Sequence, residues 1–365
     1  MPNQNAIVGL VGRINPQVEK LSPAEFLRKN PDGVSIEFEG DQTARLFPGD
    51  RAAGMLHILE QLRQMRAPVY VEVRPETREI IRLLIPLVTR VTAISEAQGD
   101  EVRVELQLSH AVHRLATANP DFSQLLETLR TALEKKSWLV VTETDEHEII
   151  DARPSLHEPR LPEVETPERR RDRPGWFRRI WLRWFGCFCC VTPRRAQQLF
   201  DLCSATTCDP LTVPPPCIPF LYPDDGCWAR AHEMCRLMIA AGAKPRKVWI
   251  DGHLHTLTKN NPQCFVGWGW HVAPTICVRH RFRQVETMVI DPSLFTTPVS
   301  KTTWKGVQGD PNATLTDTAA TLYWRNAIPT DPNYVDTNFR LQYYRLQLQN
   351  RSLQPAGPPP YAFCP

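Results

Sequence analysis

The chain has 365 residues, room for about two domains, and is 42% hydrophobic and 23% charged, an ordinary balance for a globular protein. Its net charge of +3 is too small to argue for a nucleic-acid partner. The opening MPNQNAIVGLVGRINPQ lacks a basic start and a long apolar run, and no stretch approaches the roughly 20 apolar residues of a membrane-spanning helix. The expectation is a cytoplasmic chain, or one exported without a Sec signal.

Residues 1–150 read as an α/β or α+β domain of unassigned role. Strand-like runs occur at AIVGLVGRI, GVSIEFEG, PVYVEVRP, VTRVTAISE, EVRVELQLS and SWLVVTETD. In Val34-Ser35-Ile36-Glu37-Phe38 and Val102-Arg103-Val104-Glu105-Leu106, apolar and polar residues alternate as in half-buried strands. Helical spacing joins Met55, Ile58, Leu59 and Leu62, and again Leu125, Leu126, Leu129 and Leu133. His110 and His113 are expected as surface or capping residues, and no catalytic constellation is evident here.

Residues 151–195 break the pattern. ARPSLHEPRLPEVETPERRRDRPG is rich in Pro, Glu and Arg and reads as a linker. It runs into an aromatic cationic segment in which Trp176, Phe177, Ile180, Trp181, Trp184 and Phe185 alternate with Arg178, Arg179 and Arg183. Such a face either docks on a domain or makes a membrane or partner contact through 175–190, which would give peripheral membrane association. All eleven cysteines lie from Cys187 onward, an odd number that does not suggest a full disulfide framework, although Cys208 and Cys217 are placed to close a short loop. A Pro-rich tail occupies 351–365.

The chemistry lies in the domain at 196–350. In LYPDDGCWARAHEMCRLMIAAGAKP, Gly226 permits a tight turn, and Ala231, Met234, Cys235, Met238 and Ile239 mark a buried helical stripe ending at Gly242. Cys227 then starts the helix, where the dipole favours a thiolate and free N–H groups can receive an oxyanion. CFVGWGWHVAPTICV reads as a strand carrying His271, and RQVETMVIDPSLF as a strand ending at Asp291. A cysteine nucleophile needs a base, and the base needs an orienting carboxylate. The order Cys227, His271, Asp291 on helix, strand, strand is the plan of a papain-like or transglutaminase-like core, an α+β fold preceded by a separate N-terminal domain. Trp268 and Trp270 are candidate walls of a substrate slot. His253 and His255 on one strand face are too few for a zinc site; no metal or cofactor is called for.

Over about 199–346 the chain resembles the bacterial protein-glutaminase family, secreted enzymes that deamidate glutamine side chains in proteins. The matching runs are PCIPFLYPDDGCWARAHEM, VGWGWHVAP, IDPSLF followed by TTW, and TLYWR. The resemblance implies Cys227 as nucleophile, His271 as base and Asp291 as its partner, with a protein or peptide carrying an accessible glutamine as substrate. It leaves residues 1–195 outside it. The expected activity is hydrolysis of a side-chain amide through a thioester, in an effector or toxin, with a transglutaminase or cysteine protease on the same core as the alternative. The N-terminal domain or the aromatic segment would then be placed to cover the cleft.

Overall fold

The computed structural model describes residues 5–18, 21–95, 99–155, 190–211, 217–280, 284–325 and 330–365. The Trp- and Arg-rich stretch before Cys190, and with it the expected membrane or partner contact, lies outside the described residues.

The architecture is mixed and rich in β-structure. Strands β1 (Ala6–Asn15), β2 (Val34–Phe38), β3 (Thr43–Leu46), β4 (Pro68–Val73) and β5 (Ile80–Leu84) form an antiparallel sheet in the order β3-β2-β1-β4-β5. Helices α1 (Pro23–Lys29) and α2 (Ala52–Met65) accompany it, α2 packing on β1 and β4. A capping box between Ser22 and Glu25 starts α1. Burial follows the alternation: Val34, Ile36 and Phe38 face inward, and α2 buries Met55, Ile58, Leu59 and Leu62 as its spacing requires. Two three-stranded sheets follow, built from β6 (Leu87–Thr89), β7 (Val91–Ile94), β8 (Glu101–Leu106), β9 (His113–Ala116), β10 (Leu139–Glu143) and β11 (Ile149–Pro154). Their orders are β11-β10-β6 and β7-β8-β9, and α3 (Phe122–Lys135) packs against β7, β9 and β11.

After Cys190 come α4 (Pro193–Ser204), α5 (Cys227–Ala240), β12 (Arg246–Leu257), β13 (Phe265–Arg279), β14 (Val285–Val289), β15 (Val299–Ser300), α6 (Lys301–Gly306), β16 (Thr314–Ala319) and α7 (Val335–Ser352). The five strands form an antiparallel sheet, β15-β14-β13-β12-β16, and α5 packs against β13, α4 and α7. Most of α5 is buried, but Ile239, expected inside, is 52% exposed where the helix runs out of neighbours. Cysteines pair more than their odd number suggested: Cys190–Cys277, Cys208–Cys217 and Cys264–Cys364 are disulfides.

One apolar cluster runs through both halves, from Ile7 to Leu348. Helix α7 makes the polar part of the junction. Tyr343 Oη donates to the carbonyl of Ile85 (3.0 Å), Asn350 Nδ2 to that of Leu83 (3.1 Å), and Gln342 bonds Gln61. At its end Arg351, 1% exposed, grips the fully buried Asp224 with two N–H groups at 2.6 and 3.1 Å. It also reaches Asp145 of the N-terminal half and lies over the Tyr222 ring at 4.3 Å. Removing one partner of such a pair strands a buried charge. Arg351→Leu is therefore expected to destabilise the chain by roughly 3–5 kcal/mol, read as a lower urea midpoint at unchanged slope; a midpoint within error of the parent would show that Asp224 is satisfied without it.

Candidate active site

Cys227 is the first residue of α5, and the turn before it depends on Gly226, whose φ of +79° suits glycine and whose missing Cβ leaves room for the Tyr344 ring. Arg230, one turn into the helix, folds back to donate to the carbonyls of Tyr222 (2.9 Å), Asp225 (2.5 Å) and Pro223 (3.3 Å). The approach to Cys227 is thus clamped by its own helix.

The three expected site residues come together, each no more than 2% exposed. His271 on β13 shares a 2.9 Å hydrogen bond between Nε2 and Oδ2 of Asp291, just past β14. The Asp291 carboxylate also accepts from Trp304 Nε1 at 2.9 Å and from the backbone N–H of Ser293 at 3.2 Å. Burial alone would raise its pKa, but the charge and hydrogen bond of His271, the Trp304 bond and the Arg230 charge outweigh it and hold the carboxyl below its ordinary range. Trp304 sits in the TTW run, yet its role shows only when α6 carries it under Asp291.

Trp268 stacks on His271, ring centroids 4.6 Å apart at 13°, while its Nε1 donates to the carbonyl of Asp224. It is buried and braces the imidazole. Trp270 is half-buried in an aromatic cluster with Trp228, Trp249 and Trp324. Sequence spacing gave no signal for the last three, which lie far apart in the chain. His253 and His255 sit exposed on β12, away from Cys227's helix, with His255 stacked on Phe265.

The expectation for two histidines is overturned. His110 and His113, placed on the surface by sequence, are 2% and 0% exposed. The segment around His110 leaves β8 and runs antiparallel to β13: Ala111 bridges Trp268, and Gly269 N–H donates to the carbonyl of His110 at 3.0 Å. Its backbone N–H donates to Asp225, and its Nδ1 bonds the carbonyl of Trp270 at 2.9 Å. The imidazole stacks on His271 at 6.1 Å, and one donor atom from each of His110, Cys227 and His271 lies within 4.8 Å of the others. The N-terminal half therefore contributes to the site. Burial first, and then the charges of His271 and Arg230, hold His110 well below its usual pKa.

Covering changes Cys227. Burial pushes its thiol up, with Asp225 and Asp291 adding to the effect and Arg230 and a hydrogen bond from Val272 N–H opposing it. The expected helix-dipole activation is outweighed by this burial.

A second cluster closes the same junction. Glu143 accepts from His113 at 2.5 Å and lies 3.1 Å from His147, whose Nε2 is 3.9 Å from Asp224. Burial works against a charged His147, but Glu143, Asp224 and Asp225 prevail and raise it to about 9. Burial would likewise raise Glu143; His113 and His147 instead hold it low.

The family described as Glutaminase matches residues 196–308, the span containing Cys227, His271 and Asp291. No curated protein matches the chain. Pro-protein-glutaminase is 23% identical with a TM-score of 0.51, the likeness covering 77% of this chain and 99% of that one. Protein-glutaminase from Chryseobacterium proteolyticum is 28% identical with a TM-score of 0.39, covering 48% of this chain and 97% of that one. The former likeness, one of fold, reaches beyond 196–365 into the half that the sequence resemblance leaves out.

The raised His147 and lowered Glu143 fix a pH dependence. Charged His147 stabilises the junction fully below about pH 6.5, its unperturbed value, and the contribution is lost as pH rises through about 9. Glu143 stabilises above the ordinary carboxylate range and loses that contribution on acidification. The thermal midpoint of the parent is expected to fall between pH 7 and 10, and a His147→Gln chain, lower near pH 7, to show a flatter alkaline limb that converges on the parent's. Parallel curves for the two chains would remove His147 as the cause.

Proposed function

We propose, on the premise that residues 196–308 form a glutaminase-family domain, that the protein is a hydrolase deamidating glutamine side chains of other proteins to glutamate. The carrying observation is that this span sets Cys227 at a helix start beside an imidazole held by Asp291. The core is of the papain-like or transglutaminase-like kind, with a nucleophile helix packed on the sheet that carries its base.

Cys227 attacks the glutamine amide carbon as His271 takes the thiol proton. The oxyanion forms near the N–H groups of Cys227 and Trp228 at the start of α5, since those of Ala229 and Arg230 already donate to the carbonyl of Gly226. His271 protonates the departing ammonia, leaving a thioester. Water, deprotonated by His271, then hydrolyses it, giving glutamate and restoring the thiol. Asp291 orients His271 and stabilises its charged form, and Trp304 fixes Asp291. Trp270 and its aromatic neighbours would wall the slot.

The main-chain path of a substrate is the one the 109–111 segment now takes along β13. The N-terminal half thereby keeps the site closed until it is displaced. Three disulfides support work in an oxidising setting, hence export, and delivery to a target protein would make the enzyme an effector.

The chain cut between residues 155 and 190 and freed of its N-terminal fragment is expected to release ammonia from a glutaminyl peptide, with a gain of about one dalton. The uncut chain should be much slower. Cys227→Ser abolishes the activity, and Asp291→Asn lowers kcat by roughly 10³–10⁴-fold. Amine incorporation or peptide-bond cleavage in place of ammonia release would transfer the site to a transglutaminase or protease.

A further inference from the structure

We infer that His110, Cys227 and His271 together form a binding site for a divalent zinc-class ion, one that locks the N-terminal half onto the nucleophile. The juxtaposition is specific: the three side chains come from a loop after β8, the start of α5 and the middle of β13, and one donor atom of each lies within 4.8 Å of the others. A sulfur with two imidazoles is the donor set that zinc takes in preference to magnesium or calcium.

The state of the two rings carries the argument. A metal-bound histidine characteristically gives its other ring N–H to a carboxylate or a backbone carbonyl, which fixes the tautomer and turns the remaining lone pair to the ion. Both rings have that arrangement. His271 spends Nε2 on Asp291 at 2.9 Å, and His110 spends Nδ1 on the carbonyl of Trp270 at 2.9 Å. The nitrogens left, Nδ1 of His271 and Nε2 of His110, are buried and have no hydrogen-bond partner. Asp225 Oδ1 is 3.3 Å from Nε2, but it accepts from the backbone N–H of His110 and Gly226 and makes no hydrogen bond to the ring. A buried polar atom without a partner costs about 1–3 kcal/mol, and an ion drawn among the three donors would satisfy both nitrogens at once.

Binding needs a modest inward shift of the side chains, since bonds to zinc are about 2.0–2.3 Å. The thiol proton leaves to solvent as sulfur bonds the ion, both rings stay neutral, and Asp225 Oδ1 or water takes the fourth position. The ion would hold the segment in place, and a sulfur so bonded does not attack an amide. That consequence rests on the deamidase reading; the site itself does not.

The other group of metal-ligating side chains among the described residues, His113, Glu143 and His147, is the rival. There Glu143 bonds His113 and pairs with His147, although His113 Nε2 and His147 Nδ1 are also buried without a hydrogen-bond partner, and its donor set is two imidazoles and a carboxylate with no sulfur; it serves as the internal control.

The test uses the full chain stripped with a chelator and then given Zn²⁺ or Co²⁺ alone, without substrate. One equivalent of zinc per chain is expected. Cobalt should give tetrahedral visible bands with a thiolate charge-transfer band in the near ultraviolet. His110→Ala and the near-isosteric Cys227→Ser should each weaken binding at least about tenfold, while Glu143→Gln leaves it unchanged. A cobalt spectrum without thiolate character would overturn the site in the parent chain itself, whether or not a variant folds. So would binding that survives His110→Ala in a folded chain, or that disappears with Glu143→Gln. Metal binding in a chain that releases no ammonia after cutting would sink the deamidase reading and leave this site standing; deamidation without metal binding would do the reverse.

Discussion

The buried pair between Arg351 and Asp224 is the constraint on which the rest of the structure hangs. Two charges at 1% exposure or less are tolerable only when each is fully engaged. Arg351 therefore takes Asp224 with two nitrogens, Asp145 with another contact and the face of Tyr222. Asp224 in turn accepts from Asn261 and gives its carbonyl to Trp268. The end of α7, the N-terminal half, the turn before β13 and the wall behind His271 all meet at one carboxylate. Two residues on stands Gly226, and then Cys227. The position of Cys227 is thus set by an ion pair on its own approach loop, and Arg230 repeats the restraint from the helix side.

The same burial sets a conflict between holding the site and using it. A thiol reacts as thiolate, yet the covered Cys227 is pushed the other way by desolvation. The imidazole over it is likewise held neutral. The Asp291 carboxyl is instead held low, because its donors lie with it on the C-terminal sheet and α6. Displacing the His110 segment changes the surroundings of the first two groups and leaves those of Asp291 intact. On the proposed deamidase reading, reactivity at Cys227 belongs to an arrangement with that segment displaced, and His271 is already oriented by Asp291 without it.

Legibility in the sequence followed locality. Val34 to Phe38 and Val102 to Leu106 announced their strands because one face of each is wet. Met55, Ile58, Leu59 and Leu62 announced α2 in the same way. The four-residue strands β3 and β9 offer too few residues for a period to stand out, and the Ile80–Leu84 strand lacks alternation. At the site, Cys227, His271 and Asp291 could be singled out because each lies in a run of unusual local chemistry (a glycine before a helix, glycines within a strand, a strand-ending Asp-Pro), and the family resemblance joined the three; the structure brings them together. His110 was not. LSHAVH carries no such mark, and its burial comes from pairing with β13 across more than 150 residues of chain. The aromatic cluster of Trp228, Trp249, Trp270 and Trp324 is invisible for the same reason.

The placement of cysteines divides the chain into a covalently restrained part and one held without disulfides. The sequence has none before Cys187, so no disulfide can tie residues 1–186 to the rest. Cys190–Cys277 fastens the entry to α4 onto β13, Cys208–Cys217 closes the loop that leads toward Asp224, and Cys264–Cys364 anchors the tail beside the start of β13. Each bond lies within residues 190–364, two of them at the ends of the strand that carries His271. The N-terminal half is held by contacts that can dissociate: the α7 hydrogen bonds, the Asp145 and His147 approaches to the Arg351–Asp224 pair, and the strand-like run through His110. Covalent restraint thus falls on the part that carries Cys227, His271 and Asp291, and noncovalent contact joins the N-terminal half to it, the division that the proposed opening by a cut between the halves requires.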